Sequence, residues 1–363
     1  MNDKVSVLMC VYNTPKSYLD EAVKSILDQT YRNIEFVIVD DASDDEDVLR
    51  YLERIERSYE TIKLTRNEKN LGLTRSLNAG LGLCSGKYIA RMDSDDIAMP
   101  DRIQKQVDYM ESDPDIALTG GKIYIFGEGM AADHANAIYD RCDDPEIYRI
   151  RSLIENSGPA HPTFMFRSAF LHDNGIKYRE DILKAQDYGI MVDILKSGGK
   201  ICKIKEPLLK YRVHSGQITR QYETEQMAYQ ARVSYDYIRN VFPNLTDAEC
   251  AAMSVLGSIV KWRELVDTIR SKDALKDTCG YILYNHDALE TPDTYVSAIK
   301  KIIAYSGEKQ LYDEKKLEQE FRYEWWKRAL SMSTEKKRVW GMCPYTILSH
   351  RFVKMVKKQI QNV

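Results

Sequence analysis

The sequence reads Lys87-Tyr-Ile-Ala-Arg-Met-Asp-Ser-Asp-Asp96, in which a short apolar run ends directly in a group of carboxylates. Such a run is typical of a strand buried on both faces, as in parallel sheets. Pro100 then opens a helical pattern that continues to about Ser112. A buried strand followed by acids and a helix predicts a layered α/β fold, with the acids at the strand's carboxyl end.

The residues before this stretch repeat the alternation of strand and helix. Buried strands are predicted at Val5-Ser-Val-Leu-Met-Cys-Val-Tyr12 and at Ile34-Glu-Phe-Val-Ile-Val-Asp40. Thr14 is the predicted N-cap of the first helix, and Ser43 opens a predicted capping box before the second. Ligands of doubly wound sheets bind outside the carboxyl ends of strands, so Asp40-Asp41 and Asp93–Asp96 are candidate ligand sites.

The strand signals weaken after about residue 120 and disappear after about residue 222. Gly120 and Gly121 predict a turn between short strands, and residues 201–204 and 208–213 predict two further strands. Helical patterns follow over 225–240, 248–260, 294–305 and 314–330. We therefore expect an α/β domain over 1–222, a helical region over 223–324 and a separate tail over 325–363.

The composition excludes several classes of protein. The chain has 363 residues, of which 44% are hydrophobic, and a formal net charge of −3, which argues against nucleic acid as a partner. No apolar run reaches the about 18 residues of a membrane-spanning helix. The cysteines are scattered and show no CxxC zinc pattern. We expect a cytoplasmic protein with free thiols and no signal peptide.

The tail has a composition of its own. Residues 325–363 carry nine lysines and arginines against one acid, and three tryptophans lie among them. Leu348, Phe352, Val356 and Ile360 share one face of a predicted helix. A basic amphipathic helix of this kind suits an anionic membrane surface, at the inner face of the membrane. The alternative is a helix that packs on its own domain and exposes its basic face.

Asp93-Ser94-Asp95 is the sharpest chemical signal. Hard divalent cations such as Mg²⁺ and Mn²⁺ prefer oxygen ligands, and two carboxylates two residues apart can share one cation. Such a cation could offset the charge of a bound diphosphate. The alternative is a polar loop whose acids only cap the helix near Pro100.

Two further features could contact the same ligand. One acid of Asp40-Asp41 could accept hydrogen bonds from a base or a ribose hydroxyl, although turn solvation is the alternative. Arg75 opens a helix after Asn70-Leu71-Gly72, where a guanidinium could bind a diphosphate in a bidentate manner. Its alternative is an exposed helical arginine.

Together these motifs resemble the signatures of family 2 inverting glycosyltransferases, which have the GT-A fold. In this chain we expect a helical C-terminal region after that fold. The resemblance is carried by residues 5–13, 40–43, 70–73 and 88–96, and it covers about residues 4–215. It implies a UDP-sugar donor and a Mn²⁺ or Mg²⁺ cofactor. The implied donor and metal contacts are the Cys10 backbone near the uracil, Asp41 on the base, Arg75 near the diphosphate, Asp93 on the ribose or metal, and Asp95 on the metal.

The resemblance also implies residues for the acceptor side. Asp187 matches the family's catalytic base, and Gln186 stands where glutamate is commoner. His214, in Tyr211-Arg212-Val213-His214, matches a possible third metal ligand, although a lone histidine is usually structural. His161 matches a segment beside the acceptor. Asp187 would take the proton of the acceptor hydroxyl as it attacks the anomeric carbon, in one inverting displacement.

The family builds bacterial surface polysaccharides, so a glycan or lipid-linked saccharide is the implied acceptor. A nucleotidyltransferase that makes sugar nucleotides is one alternative. It usually has a basic, glycine-rich loop after the first strand, where this chain has Tyr12-Asn13-Thr14-Pro15. A non-catalytic nucleotide-sugar-binding protein is the other alternative.

Overall fold

The computed structural model describes residues 3–127, 137–139, 144–214, 222–256 and 262–331. The chain separates into two units, which are described one at a time. The first comprises Met1–Tyr148 and Ser157–Tyr222, and the second comprises Arg149–Asn156 and Glu223–Val363. Residues 149–156 thus belong to the second unit, whereas the sequence patterns assigned them to the α/β domain.

One mixed sheet runs through the first unit. Its strands are β1 Val5–Val11, β2 Ile34–Asp40, β3 Ile62–Arg66, β4 Tyr88–Asp93, β5 Ile97–Ala98, β6 Ile116–Gly127, β7 Ala137–Tyr139, β8 Met165–Arg167 and β9 Lys200–Val213. They lie in the order β3-β2-β1-β4-β8-β6-β9-β5, and β7 pairs with β6. The strands β3, β2, β1 and β4 are parallel, whereas β8 is antiparallel to β4 and β6. This arrangement confirms the predicted α/β class.

Burial on both faces explains the unbroken apolar runs of the central strands. Val7 pairs with Phe36 on one side and Ala90 on the other, and all three are fully buried. Helices cover the sheet: α1 Lys16–Leu27, α2 Glu46–Ser58, α3 Leu73–Leu83, α4 Arg102–Ser112, α6 Ser168–Asp173 and α7 Gln186–Lys196. The helix α5 Pro145–Arg151 begins in the first unit and ends in the second. The apolar face of α1, which includes Leu19 and Ile26, is buried against this core.

The predicted turn at Gly120 and Gly121 is wrong, because both glycines lie inside the continuous strand β6. A Cβ atom on Gly120 would lie 2.5 Å from the side chain of Pro159, and one on Gly121 would lie 2.5 Å from that of Leu208. These glycines therefore allow close packing and do not turn the chain. The two strands predicted at 201–204 and 208–213 are likewise one strand, β9. Pro207 lies inside β9, where the register of β9 against β6 shifts.

Both predicted helix caps are also wrong. The carboxylate of Asp45 caps α2 by accepting from the N–H groups of Asp47 and Val48. Ser43 Oγ instead accepts the N–H of Asn13 at 3.0 Å. The hydroxyl of Thr14 is hydrogen-bonded to that of Ser94 at 2.6 Å, so it joins β1 to the acidic loop after β4. Local sequence predicts a cap, but long-range partners compete for the same hydroxyl groups.

The second unit is helical in its described part. Its helices are α8 Glu223–Val241, α9 Asp247–Ser254, α10 Trp262–Ser271, α11 Asp273–Tyr284, α12 His286–Leu289, α13 Pro292–Lys309 and α14 Glu314–Ser331. Thr246 and Glu249 form a capping box at the start of α9. Trp325 of α14 is fully buried, with its ring centroid 5.8 Å from that of Tyr295.

Trp325 therefore belongs to the core of this unit, whereas the sequence patterns placed it in the basic tail. The predicted amphipathic stripe of Leu348, Phe352, Val356 and Ile360 lies outside the described residues. Among the helices that are described, none is both long and apolar enough to cross a membrane.

Candidate active site

Three residues singled out from the sequence lie together where the parallel strands end. Cys10 of β1 pairs with Val39 of β2 and with Asp93 of β4. Asp41 follows β2, and its N–H donates to the carbonyl of Val11 at 2.8 Å. Burial raises the pKa of the Cys10 thiol to about 12. The thiol is therefore neutral at physiological pH.

A compact group of carboxylates follows β4. Asp93, Asp95 and Asp96 each offer an oxygen atom, and these atoms lie within 4.8 Å of one another. Asp96 is fully buried, and its Oδ2 has no hydrogen-bond partner among the described residues. Burial raises the pKa of Asp96 well above its ordinary value, and the charges of Asp93 and Asp95 add to this effect. Clustered oxygens whose charges repel one another fit a hard divalent cation.

His214 lies beside this group. It follows β9 directly, and its Nε2 is 3.0 Å from Oδ2 of Asp95. Adjacent ligands of an octahedral cation, with bonds of about 2.1 Å, are separated by about 3 Å. Asp95 and His214 are hydrogen-bonded at this distance, which two neighbouring ligands of one ion would also have, although they are 119 residues apart in sequence.

A buried arginine supports the first acid of the group. Arg91 is 2% exposed and donates from both terminal nitrogens to the carboxylate of Asp93, one bond measuring 2.9 Å. Burial opposes the charge of Arg91, but attraction to Asp93 outweighs it and raises the pKa of the guanidinium. Arg102 in turn donates to the carbonyl of Arg91 at 2.7 Å. Both oxygens of Asp93 are thus oriented by Arg91.

Asp41 shapes the neighbouring turn. Its Oδ1 accepts from the side-chain amide of Asn67 at 2.7 Å and from the N–H of Leu71 at 2.8 Å. Its Oδ2 accepts from the N–H of Gly72 at 2.9 Å. Gly72 has a φ of 84°, which favours glycine, and it precedes α3. Asp41 is therefore a structural acceptor in this turn, and its contact with a base stays a prediction.

Two contacts join α3 to the segment that leads into α7. Arg75, in the first turn of α3, donates from Nε to Glu180 at 3.1 Å, and both side chains are about half exposed. Asn78 exchanges two hydrogen bonds with the backbone of Tyr178, each of 2.9 Å. A diphosphate bound by Arg75 would therefore compete with Glu180 for the charge of the guanidinium.

Of the residues predicted for the acceptor side, His161 contacts Tyr178. His161 lies in a 3₁₀ turn, and its Nε2 is 2.9 Å from the Tyr178 hydroxyl. Burial lowers the pKa of His161 well below its ordinary value, with a contribution from Arg91, so the imidazole is neutral. Gln186 and Asp187 begin α7 and are both half-buried.

Electrostatics link the two sides of the site. Tyr178 is fully buried, and burial raises the pKa of its phenol. The carboxylates of Asp187 and Asp93 both contribute to this increase. The start of α7 and the end of β4 are therefore within electrostatic reach of one ring.

Sequence reasoning did not identify Arg91, Tyr178 or Arg212 as parts of this region. Arg91 carried a usable signal, because an arginine inside a buried strand needs an anionic partner. Arg212 belongs to the motif Tyr211-Arg212-Val213-His214, but the sequence alone assigned it no role. Tyr178 carried no local signal, since its partners come from distant segments.

Comparisons with known proteins agree on one family. The family model described as glycosyl transferase family 2 matches residues 6–174. An uncharacterized glycosyltransferase from Haemophilus influenzae is 35% identical over 231 residues, which are 61% of this chain and 69% of that protein. The amylovoran biosynthesis glycosyltransferase of Erwinia amylovora is 28% identical, over 59% of this chain and 78% of its own.

Solved structures show the same fold. Residues 1–349 of TarS from S. aureus match with a TM-score of 0.55 and 18% identity, over 93% of this chain and 87% of that chain. The complex of the same protein with UDP-GlcNAc matches with a TM-score of 0.54 and 17% identity, over 90% and 89% of the two chains. The fold is therefore GT-A, with a mixed sheet flanked by helices, and the chain belongs to glycosyl transferase family 2.

Proposed function

We propose that this chain is an inverting, metal-dependent glycosyltransferase that transfers a sugar from a UDP-sugar to an acceptor hydroxyl. The observation that carries the proposal is the cluster of Asp93, Asp95 and Asp96, whose oxygen atoms lie within 4.8 Å of one another and beside His214. Membership of the family supports transfer, and TarS, which shares the fold, is known with UDP-GlcNAc.

In this proposal, Asp95 and His214 hold a Mn²⁺ or Mg²⁺ ion, and Asp93 reaches the ion or the ribose. When bound, the ion offsets the negative charge that develops on the leaving diphosphate. Arg75 contributes a second positive charge, for which Glu180 competes. The Cys10 backbone and Asp41 lie at the strand ends, where the uracil would bind.

Asp187 is the proposed general base. It accepts the proton of the acceptor hydroxyl while the oxygen attacks the anomeric carbon and the diphosphate leaves. This single displacement inverts the anomeric configuration and requires no nucleophilic carboxylate. Gln186 and the neutral imidazole of His161 are proposed to line the acceptor side, where His161 is held by Tyr178.

The acceptor is proposed to be a glycan or lipid-linked saccharide of a bacterial surface polysaccharide. The names of two relatives support this class: the amylovoran protein, and an O-antigen biosynthesis glycosyltransferase from Escherichia coli that is 29% identical. We further propose that the basic tail binds an anionic membrane at its cytoplasmic face. The basis is its composition, since residues 332–363 lie outside the described part of the chain.

Calorimetry with UDP, with and without Mn²⁺, tests the metal site. We expect Mn²⁺ to strengthen UDP binding to the wild type and to the control Asp101→Ala, whose exposed carboxylate pairs with Lys105. UDP binding that is unaffected by Mn²⁺ in the wild type would contradict the metal assignment. Hydrolysis of UDP-sugars then separates an enzyme from a non-catalytic binding protein, which would bind the donor without cleaving it.

A further inference from the structure

We propose that Arg212 is a positioning residue that fastens the end of β9 to the acidic loop and so presents His214 to Asp95. The inference rests on the proposed function for its importance in catalysis. The contacts between Arg212 and the acidic loop do not depend on that function. Arg212 touches neither donor nor acceptor in this proposal, and it acts through His214.

Arg212 binds two successive residues of the acidic loop. Its backbone N–H donates to Oδ1 of Asp96 at 2.9 Å. Its side-chain Nε donates to the carbonyl oxygen of Asp95 at 2.7 Å. Arg212 therefore holds the loop by the side chain of Asp96 and the backbone carbonyl of Asp95. The carboxylate of Asp95 stays available to His214.

The guanidinium itself is held from several sides. It lies 4.2 Å from the ring centroid of Tyr18 and 4.6 Å from that of Phe126. Its Nη2 also donates to Glu21 of α1. Arg212 is 8% exposed, so these cation–π and charged contacts are largely shielded from water. A planar guanidinium can stack on aromatic rings while it donates hydrogen bonds in its own plane, which the tetrahedral ammonium of lysine cannot do.

His214 lies two residues after Arg212 and shares a packing partner with it. Tyr18 packs on both residues, since its ring centroid is also 5.7 Å from that of His214. Loss of the guanidinium would therefore remove the hydrogen bond to the carbonyl of Asp95, the contact with Glu21 and the packing on Tyr18, whereas the backbone bond to Asp96 would remain. The expected result is a less well-positioned ligand pair, even though neither ligand is changed.

The test uses the full chain with Arg212→Met, which keeps an unbranched apolar stem, and Arg212→Lys, which keeps the charge. Arg167→Met is the matched control, because Arg167 is also partly buried and donates to the backbone carbonyls of Ile116 and Met110. Hydrogen exchange of peptides from β1 and β2 verifies that each variant is folded.

The first measurement needs no metal and no nucleotide. The rate of His214 modification by diethyl pyrocarbonate, followed by peptide mass spectrometry, reports how accessible the unprotonated imidazole is, and we expect this rate to rise when the contact with Asp95 opens more often. We expect several-fold faster modification in Arg212→Met, a smaller increase in Arg212→Lys and no change in Arg167→Met. His172, whose side chain is 91% exposed, is the internal reference.

The second measurement is the Mn²⁺ concentration for half-maximal UDP binding. We expect Arg212→Met to raise it by about tenfold or more, the usual effect of losing an outer-shell partner. Unchanged His214 modification in both Arg212 variants would overturn the inference, as would an unchanged Mn²⁺ requirement in a wild type that binds Mn²⁺ and UDP. If the wild type binds neither, the proposed function fails. The modification rates then still test whether Arg212 positions His214.

Discussion

Replacement of Glu35 by glutamine should destabilise the α/β unit at neutral pH and much less in acid. Glu35 lies near the start of β2, away from the acidic loop, and is 4% exposed. Its carboxylate accepts from the Ser6 hydroxyl at 2.6 Å and from the Ser85 N–H at 2.8 Å, and it pairs with Lys63. Burial alone would raise the pKa of Glu35, but these contacts outweigh burial and lower it from 4.5 to about 2.

The size and sign of the effect follow from this shift. A carboxyl whose pKa is lower in the folded state stabilises the fold above the unfolded pKa, and the effect is lost as the pH falls through the folded pKa. At 1.36 kcal/mol per pH unit, a decrease from 4.5 to about 2 corresponds to about 3 kcal/mol at pH 7. At pH 3 only about 1 kcal/mol remains, because the unfolded carboxyl is then mostly protonated.

Native-state hydrogen exchange of β1 and β2 peptides in urea measures the free energy of unfolding for the first unit. Tryptophan fluorescence would not, because Trp262, Trp325, Trp326 and Trp340 all lie outside that unit. Glu46→Gln is the control, since this exposed carboxylate pairs with Arg50 and should contribute less than about 1 kcal/mol. An equal loss at pH 7 and pH 3 for Glu35→Gln would refute the role of its charge.

Three further predictions concern the proposed function. Asp95→Ala should abolish the Mn²⁺-dependent part of UDP binding measured by calorimetry, and wild-type affinity in this variant would contradict its role as a ligand. Asp187→Asn should leave UDP binding nearly unchanged and lower kcat by about 10²–10⁴, the usual contribution of a general base. Turnover within about tenfold of the wild type would place the base elsewhere. A chain that ends after Ser331, which retains the buried Trp325, should hydrolyse donor but no longer sediment with anionic vesicles. Equal sedimentation of this chain and the full chain would exclude the tail as the anchor.

Local sequence patterns predicted much of the fold. The apolar runs of β1, β2 and β4 are visible in the sequence because strands buried on both faces need apolar residues at every position. The position of Asp93 follows from the same pattern, since the acids begin where the run ends. The family resemblance added His214 and Asp187, which no local pattern singles out.

Other features depended on partners that are distant in sequence. Ser43 has the residue type of a helix cap, yet its hydroxyl binds Asn13, which is 30 residues away. Gly120 has the residue type of a turn, yet it lies inside a strand where Pro159 leaves no space for a Cβ atom. Propensity describes what a residue can do, and packing selects among these possibilities.

The sequence by itself determined the α/β class and the presence of acids at the carboxyl ends of two strands. Both follow from unbroken apolar runs that alternate with helical spacing, and these are local properties of the sequence. Only the tertiary structure decided how those acids are used: Asp41 holds a turn, Asp93 is oriented by Arg91, and Asp95 meets His214. These pairings depend on which strands become neighbours, because a hydrogen bond or a shared ion requires atoms about 3 Å apart and a linear pattern contains no distances between segments.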